Sequence, residues 1–269
     1  MINLTEFFNQ AWDPITKQAK GKLKWTFMNQ DNILENWVFK YFMYCSIVKE
    51  YDFVEKILSG LEVFGGVIPR CRYYGDHDMI VEDPHNTWVK AKDKDGVMCQ
   101  MRVDTGTGQA PCLLGLASVS NKFVKAARLA TDFSQAIMKN GCKVKYDGKT
   151  VAQGNYLTWI PPLGNNLTEL QCISHIAVEN IPFWHRWRAY LSVKNYMPWD
   201  KGTQRSVCLY FLARLYPSKY KDLFDKWIAK RDKDLVEVHE RMDSITDMMN
   251  PDWLGSRLDV LLQEAIRNK

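Results

Sequence analysis

No stretch of this sequence approaches 18 consecutive apolar residues, so it offers no candidate transmembrane helix. It has no Cys-x-x-Cys pair. Its seven cysteines (Cys45, Cys71, Cys99, Cys112, Cys142, Cys172 and Cys208) stand singly and are odd in number. That pattern argues against a disulfide framework or a zinc site and fits a reducing cytoplasm. The first residues, MINLTEFFNQAWDP, lack the basic and then apolar order of a secretory signal, so none is expected. Internal repeats and low-complexity tracts are absent too, which excludes solenoids and biased linkers.

What is present suits a folded chain. The 269 residues are 46% hydrophobic and 25% charged, enough for one large domain or two small ones with a substantial core. The net charge of +5 is mild, but its distribution is uneven. Between Arg186 and Lys233 there are twelve Lys or Arg against four Asp or Glu, interleaved with ten aromatic residues such as Trp187, Tyr190, Tyr210 and Trp227. Basic side chains neutralise phosphates and rings stack on bases, so this segment suits nucleic acid; a helical bundle with a solvated basic face has the same composition.

Apolar spacing predicts a short helix over residues 3–12 and two helices between Asn32 and Leu61. The texture then changes. Met79 to Val81, Thr87 to Ala91 and Val97 to Val103 read as short extended segments, with Asp93-Lys94-Asp95-Gly96 as a hairpin turn. Helical periodicity returns from about Ser120 to Asn140 and stops at Gly141. Lys143 to Thr150 reads as a hairpin around Asp147-Gly148 with a type I′ turn. After Pro161-Pro162 the pattern is mostly helical. The expected fold is therefore α+β: a small mixed sheet flanked by an N-terminal helical segment and a C-terminal helical extension.

The chemistry concentrates at Phe64-Gly65-Gly66 and, after nine intervening residues, Asp76-His77-Asp78. Two carboxylates at i and i+2 on a strand would share one face, and a pair of like charges wants cations. Hard oxygen ligands at this spacing suit Mg²⁺ or Mn²⁺, and a Gly-Gly turn lets backbone approach a phosphate closely. Asp104, after the extended run Met101-Arg102-Val103, adds a third carboxylate. Three carboxylates around two metal ions are what in-line phosphoryl transfer uses. Asp-x-Asp alone carries little, since many loops contain one by chance; the ordered combination carries more. His85, His175, His185 and His239 are scattered without ligand spacing.

The order Gly65-Gly66-x9-Asp76-x-Asp78, with Gly75 before it and apolar residues after, resembles the signature of the DNA polymerase beta (family X) nucleotidyltransferases. Arg102-Val103-Asp104 is similar to the strand that brings that family's third Asp. Ser118-Val119-Ser120-Asn121, with Arg128 ten residues after Ser118, resembles its nucleotide-binding segment and helix. Lys143 to Gly148 is similar to its following hairpin, and Leu167-Thr168-Glu169 through Pro182 and Arg186 to its closing stretch. The resemblance covers residues 60 to 190. Two departures stand out: Val67-Ile68-Pro69 replace the basic pair after the glycines, with Arg70 and Arg72 arriving later, and Leu116-Ala117 replace the sugar-checking aromatics.

The resemblance implies a nucleotidyltransferase palm over residues 63–115 and a thumb-like nucleotide-binding segment over 116–190, between an N-terminal segment 1–62 and an extension 191–269. It implies Asp76, Asp78 and Asp104 as catalytic metal ligands for Mg²⁺ or Mn²⁺. Gly65, Gly66, Arg70, Arg72, Ser118, Ser120, Asn121 and Arg128 would hold a nucleoside triphosphate. Arg186, Arg188, Lys219, Lys221 and Lys226 are the expected nucleic-acid contacts, DNA foremost, with no membrane partner. Three functions are compatible: template-directed polymerisation, template-independent transfer to RNA, protein or another acceptor, and nucleic-acid binding without catalysis.

Overall fold

The computed structural model describes residues 12–13, 18–19, 37–69, 71–74, 78, 80, 87–103, 111–140 and 145–150, with helical residues at 210, 213, 217–218, 220–226, 261–262 and 264–266, and a turn residue at 268. Trp12–Asp13 (β1) and Gln18–Ala19 (β2) pair antiparallel, with Trp12 opposite Ala19. The expected helix over 3–12 lies outside the described residues except for Trp12, which is in a strand instead. Asp13 precedes Pro14, and the proline ring disfavours helical backbone in the residue before it.

The two helices expected before Leu61 are present as α1, Trp37–Val48, and α2, Val54–Gly60. In α1 every residue described from Lys40 to Ile47 except Tyr44 is buried, as in a helix apolar on all sides that serves as a core element. Lys49 ends it in left-handed backbone, φ +70°, with its N–H donating to the Cys45 carbonyl at 2.8 Å.

Cys71–Tyr73 (β3), Trp88–Lys92 (β4) and Met98–Arg102 (β5) form a three-stranded sheet in the order β3-β5-β4. Every pairing in it is antiparallel, in place of the expected mixed sheet. The tight turn explains the β4–β5 pair. The Asp93 Oδ1 accepts the N–H groups of Asp95 and Val97, each at 2.9 Å, and Gly96 supplies φ +81°. The pleat sends Val89, Ala91, Cys99 and Met101 to the main core and Trp88, Lys90, Lys92 and Tyr73 to the opposite face. On that second face Tyr73, Trp88 and Ile80 make a small apolar cluster of their own.

Pro111–Val119 (α3) and Val124–Lys139 (α4) follow. Pro111 opens α3, where its missing N–H is not needed. In α4 the residues Ala126, Leu129, Ala130, Phe133 and Ile137 are buried at helical spacing, while Arg128, Asp132 and Lys139 face outward. The hairpin of Lys145–Tyr146 (β6) and Lys149–Thr150 (β7) turns through Asp147, φ +47°, and Gly148, φ +72°, which is the expected type I′ geometry. One core cluster takes in α1, α2, the inner face of the sheet, α3 and α4, together with Tyr210, Tyr220, Leu262 and Ile266 from the C-terminal helical residues. No helix among the described residues is long and apolar enough to cross a membrane.

Candidate functional site

The glycine pair is a tight turn. Phe64 and Val67 bond reciprocally, N–H to carbonyl at 2.7 and 3.0 Å, while Gly65 and Gly66 take φ +55° and +91°. Both positive values mark a type I′ turn, which side chains resist. The turn also packs closely on β6. A Cβ at Gly65 would stand 2.6 Å from the Tyr146 ring, and one at Gly66 would stand 3.2 Å from the Lys145 carbonyl oxygen. Phe64 stacks on Tyr146 with ring centroids 5.6 Å apart. Turn geometry and this packing therefore require glycine at 65 before any phosphate is considered.

Gly65→Ala is accordingly expected to destabilise the fold by about 2–4 kcal/mol, combining left-handed strain with displacement of Tyr146. Gly148 is the control: its φ is also positive, but a Cβ there meets nothing within 4 Å. Gly148→Ala should then lose only about 1–2 kcal/mol. Urea midpoints for the two variants make the comparison, and equal losses would mean that Tyr146 yields freely.

Beyond the turn, β3 leads toward the carboxylates. Arg72 faces the core and is 7% exposed; its Nη2 donates to the Gly60 carbonyl at 2.6 Å and lies 3.0 Å from the Glu62 Oε1. Burial pushes the Glu62 carboxyl above its usual range, and the Arg72 guanidinium partly offsets this. Tyr74, the next residue on that side, donates its hydroxyl to the Asp93 Oδ2 at 2.8 Å. Burial, followed by that bond, raises the Tyr74 hydroxyl. Against its own burial, the bonds from Tyr74 and from the Val97 and Asp95 N–H groups hold the Asp93 carboxyl low. The strand leaving β3 is thus tied to both α2 and the β4–β5 turn.

Asp78 lies past the end of β3, outside any strand, and Ile80 is in a turn; the expected strand from Met79 to Val81 is not formed at Ile80. The cause is local. The Asp78 Oδ1 accepts the Ile80 N–H at 3.1 Å, a side-chain bond that competes with ladder pairing. The Asp78 Oδ2 is 2.9 Å from the Lys90 Nζ on β4. Both side chains are open to solvent, 41% for Asp78 and 55% for Lys90.

Asp76 and Asp104 lie outside the described residues, as does Arg70. The ladder is traced to Val103, whose N–H donates to the Thr87 carbonyl at 2.8 Å. Among the described residues no three His, Cys, Asp or Glu side chains stand together as a metal-holding group. Asp78 presents one half-exposed carboxylate, with its Oδ2 beside the Lys90 ammonium.

The expected nucleotide contacts on α3 and α4 are placed as follows. Ser118 and Ser120 donate their hydroxyls to the carbonyls of Gly115 and Ala117, at 2.7 and 2.8 Å, near the end of α3. Asn121 is exposed in the turn that follows, and Arg128 is exposed on α4. Lys125 donates to the Ser59 carbonyl at 3.1 Å, and the Lys122 ammonium sits 3.8 Å from the centroid of the Tyr51 ring.

Of the expected nucleic-acid contacts, Arg186, Arg188 and Lys219 lie outside the described residues. Lys221 and Lys226 are exposed, and Lys221 forms an ion pair with Asp225 at 2.7 Å. Tyr220 is buried, with Leu223 and Phe224 half-buried against the core. Lys221, Asp222, Asp225 and Lys226 therefore form an outer face that carries charges of both signs. Lys90 is the residue that sequence reasoning passes over. Its signal is the alternation of Trp88, Lys90 and Lys92 with apolar residues, which sends it to the face opposite the core. Comparison with protein-family models, curated proteins and solved structures finds no match for this chain.

Proposed function

We propose that the chain is a nucleotidyltransferase similar to the polymerase beta group, moving a nucleoside monophosphate from an NTP or dNTP to a nucleic-acid 3′-hydroxyl. The observation that carries this reading is Asp78: a solvent-open carboxylate just past the end of β3, with one oxygen oriented by a backbone N–H and the other compensated by an ammonium. The order of the motifs around it, from Gly65-Gly66 to Asp104, supplies the rest. Asp76, Asp78 and Asp104 would hold the divalent cations. When bound, these ions would activate the attacking hydroxyl and neutralise the leaving pyrophosphate.

The protein's own part is positioning. Tyr74 and Arg72 fix the chain that delivers the carboxylates, and the Ile80 N–H sets the orientation of the Asp78 carboxylate. A second reading, template-independent transfer, is favoured by one observation. Arg72, one of two candidate triphosphate contacts, is buried against Gly60 and Glu62, which leaves a weaker grip on the nucleotide. Extension of a labelled primer with Mg²⁺ or Mn²⁺, with and without a template strand, separates the readings. Template-dependent addition supports the first and template-indifferent addition the second. No addition to any acceptor, with retained nucleic-acid binding, leaves only a binding module.

The C-terminal basic helices would supply the grip on nucleic acid. Neutralising Lys219, Lys221 and Lys226 together is expected to weaken DNA binding and flatten the log-log salt dependence, by about one unit for each phosphate no longer neutralised. Titration by fluorescence anisotropy at several salt concentrations checks this. Unchanged affinity and slope would assign these lysines to a solvated helix face whose acidic neighbours, Asp222 and Asp225, balance them.

A further inference from the structure

We propose that the outer edge of β4 takes up an extended acidic segment of a partner protein as a further strand of the sheet. The hydrogen-bond ladder fixes which backbone groups are on offer. The Val103 N–H donates to the Thr87 carbonyl and the Asp93 N–H to the Val97 carbonyl, at 2.8 and 2.9 Å. Bonded positions alternate along an antiparallel pair, so Val89 and Ala91 also bond β5. Lys90 and Lys92, opposite Gln100 and Met98, then direct their N–H and C=O groups away from it. In the order β3-β5-β4 that side is the sheet's edge, and among the described residues no backbone group bonds Lys90 or Lys92 there.

The side chains of an added strand would alternate between two different surfaces. Those on the outer side meet Lys90 and Lys92, both exposed, with Arg102 further across the same face. The Asp78 Oδ2 lies 2.9 Å from the Lys90 Nζ, but in an exposed pair, which exchanges partners at little cost. Those on the inner side meet Val89 and Ala91, half-buried against the core. The complementary segment therefore alternates acidic and apolar residues. Edge lysines deter apolar and basic strands, which leaves acidic ones. A second copy of β4 fits poorly, since its own lysines would stand against Lys90 and Lys92. The inference is independent of the nucleotidyltransferase reading.

A fluorescent peptide alternating Glu and Val, long enough to cover β4, is the probe, and anisotropy on the full chain reads its binding. It should bind more tightly than the same peptide with Lys in place of Glu. Two further isomers, one N-methylated on every Glu and the other on every Val, separate strand addition from charge attraction. Their charge is the same, but only one set of N–H groups faces β4: the Glu set in antiparallel addition, the Val set in parallel. One isomer should therefore lose about tenfold or more in affinity while the other stays near the unmethylated probe. Lys90→Glu combined with Lys92→Glu should reverse the preference between the Glu and Lys peptides, with circular dichroism checking the fold. Equal affinity of the two methylated isomers would overturn the proposal, because the lysines would then attract any polyanion. So would failure of the wild-type chain to bind the probe, which would mark β4 as an edge its lysines keep closed. A chain that self-associates, and takes the probe only on dissociating, would give the edge to a second copy and overturn it too.

Discussion

Asp78→Ala is expected to lower divalent-metal-dependent nucleotide transfer by about a hundredfold or more while leaving the chain folded. The loss follows from the proposed chemistry, because a missing ligand leaves both the attacking oxygen and the pyrophosphate without charge compensation. The fold should tolerate it. The exposed ion pair with Lys90 is worth about 0–1 kcal/mol, and the hydrogen bond from Ile80 about 0.5–1.5 kcal/mol. Asp76→Ala should behave alike in activity. Single-turnover primer extension, with circular dichroism on the same preparations, gives both halves of the result. Activity within about tenfold of wild type in Asp78→Ala would refute a metal-binding role for that carboxylate.

Arg72→Met should have the largest effect on stability, about 3–5 kcal/mol, because it leaves Glu62 under the sheet without the guanidinium 3.0 Å from it. The Glu62 side chain is 13% exposed, so water does little to replace the guanidinium. Changing both residues, Arg72→Met with Glu62→Gln, should recover much of the loss, since no charge then remains buried. Urea unfolding of the three proteins makes the comparison.

The pH dependence adds a separate check. The Glu62 carboxyl already lies above its unfolded value, so the folded chain binds its proton more readily than the unfolded chain does. Stability tied to this group therefore falls as pH rises from the unfolded value through the folded one. In Arg72→Met, where the offsetting guanidinium is absent, that fall should be steeper and extend to higher pH. A single variant as stable as wild type across the range would show that the pair contributes nothing net.

Turns and amphipathic helices are legible in the sequence for one reason: the information is local. Gly96 and Gly148 are readable because a tight turn needs left-handed backbone and few residues provide it. Helix α4 is readable from Ala126, Leu129, Phe133 and Ile137, which repeat at helical spacing with charges between them. Helix α3 escapes detection. Its run Pro-Cys-Leu-Leu-Gly-Leu-Ala-Ser-Val has no polar face to mark a period, and its described residues from Gly115 to Ala117 are all buried.

The candidate site is legible only in part. The Asp-x-Asp spacing suggests a strand, but the bond from the Ile80 N–H to the Asp78 carboxylate places Ile80 in a turn, and period-two logic cannot anticipate that choice. The Asp78–Lys90 pair depends on the sheet order β3-β5-β4, in which the strand following β3 in sequence lies one place further away in space. A basic residue near a Gly-Gly turn invites the reading of Arg72 as a triphosphate contact. Its burial depends on Glu62 and Gly60, at and just beyond the end of the preceding helix.

The stack of Phe64 on Tyr146 also bears on how the chain reaches its fold. The two rings lie roughly eighty positions apart in sequence, so their meeting must close a long loop, with an entropic cost that local helices do not carry. Helices α1 to α4 and the β4–β5 hairpin form from near neighbours. The glycine turn can seat itself against β6 only once α4 has brought the β6–β7 hairpin round. That stack is therefore expected to form late, after the main barrier. Disturbing it should leave the folding rate almost unchanged and speed unfolding, which makes this seam a governor of the protein's kinetic lifetime.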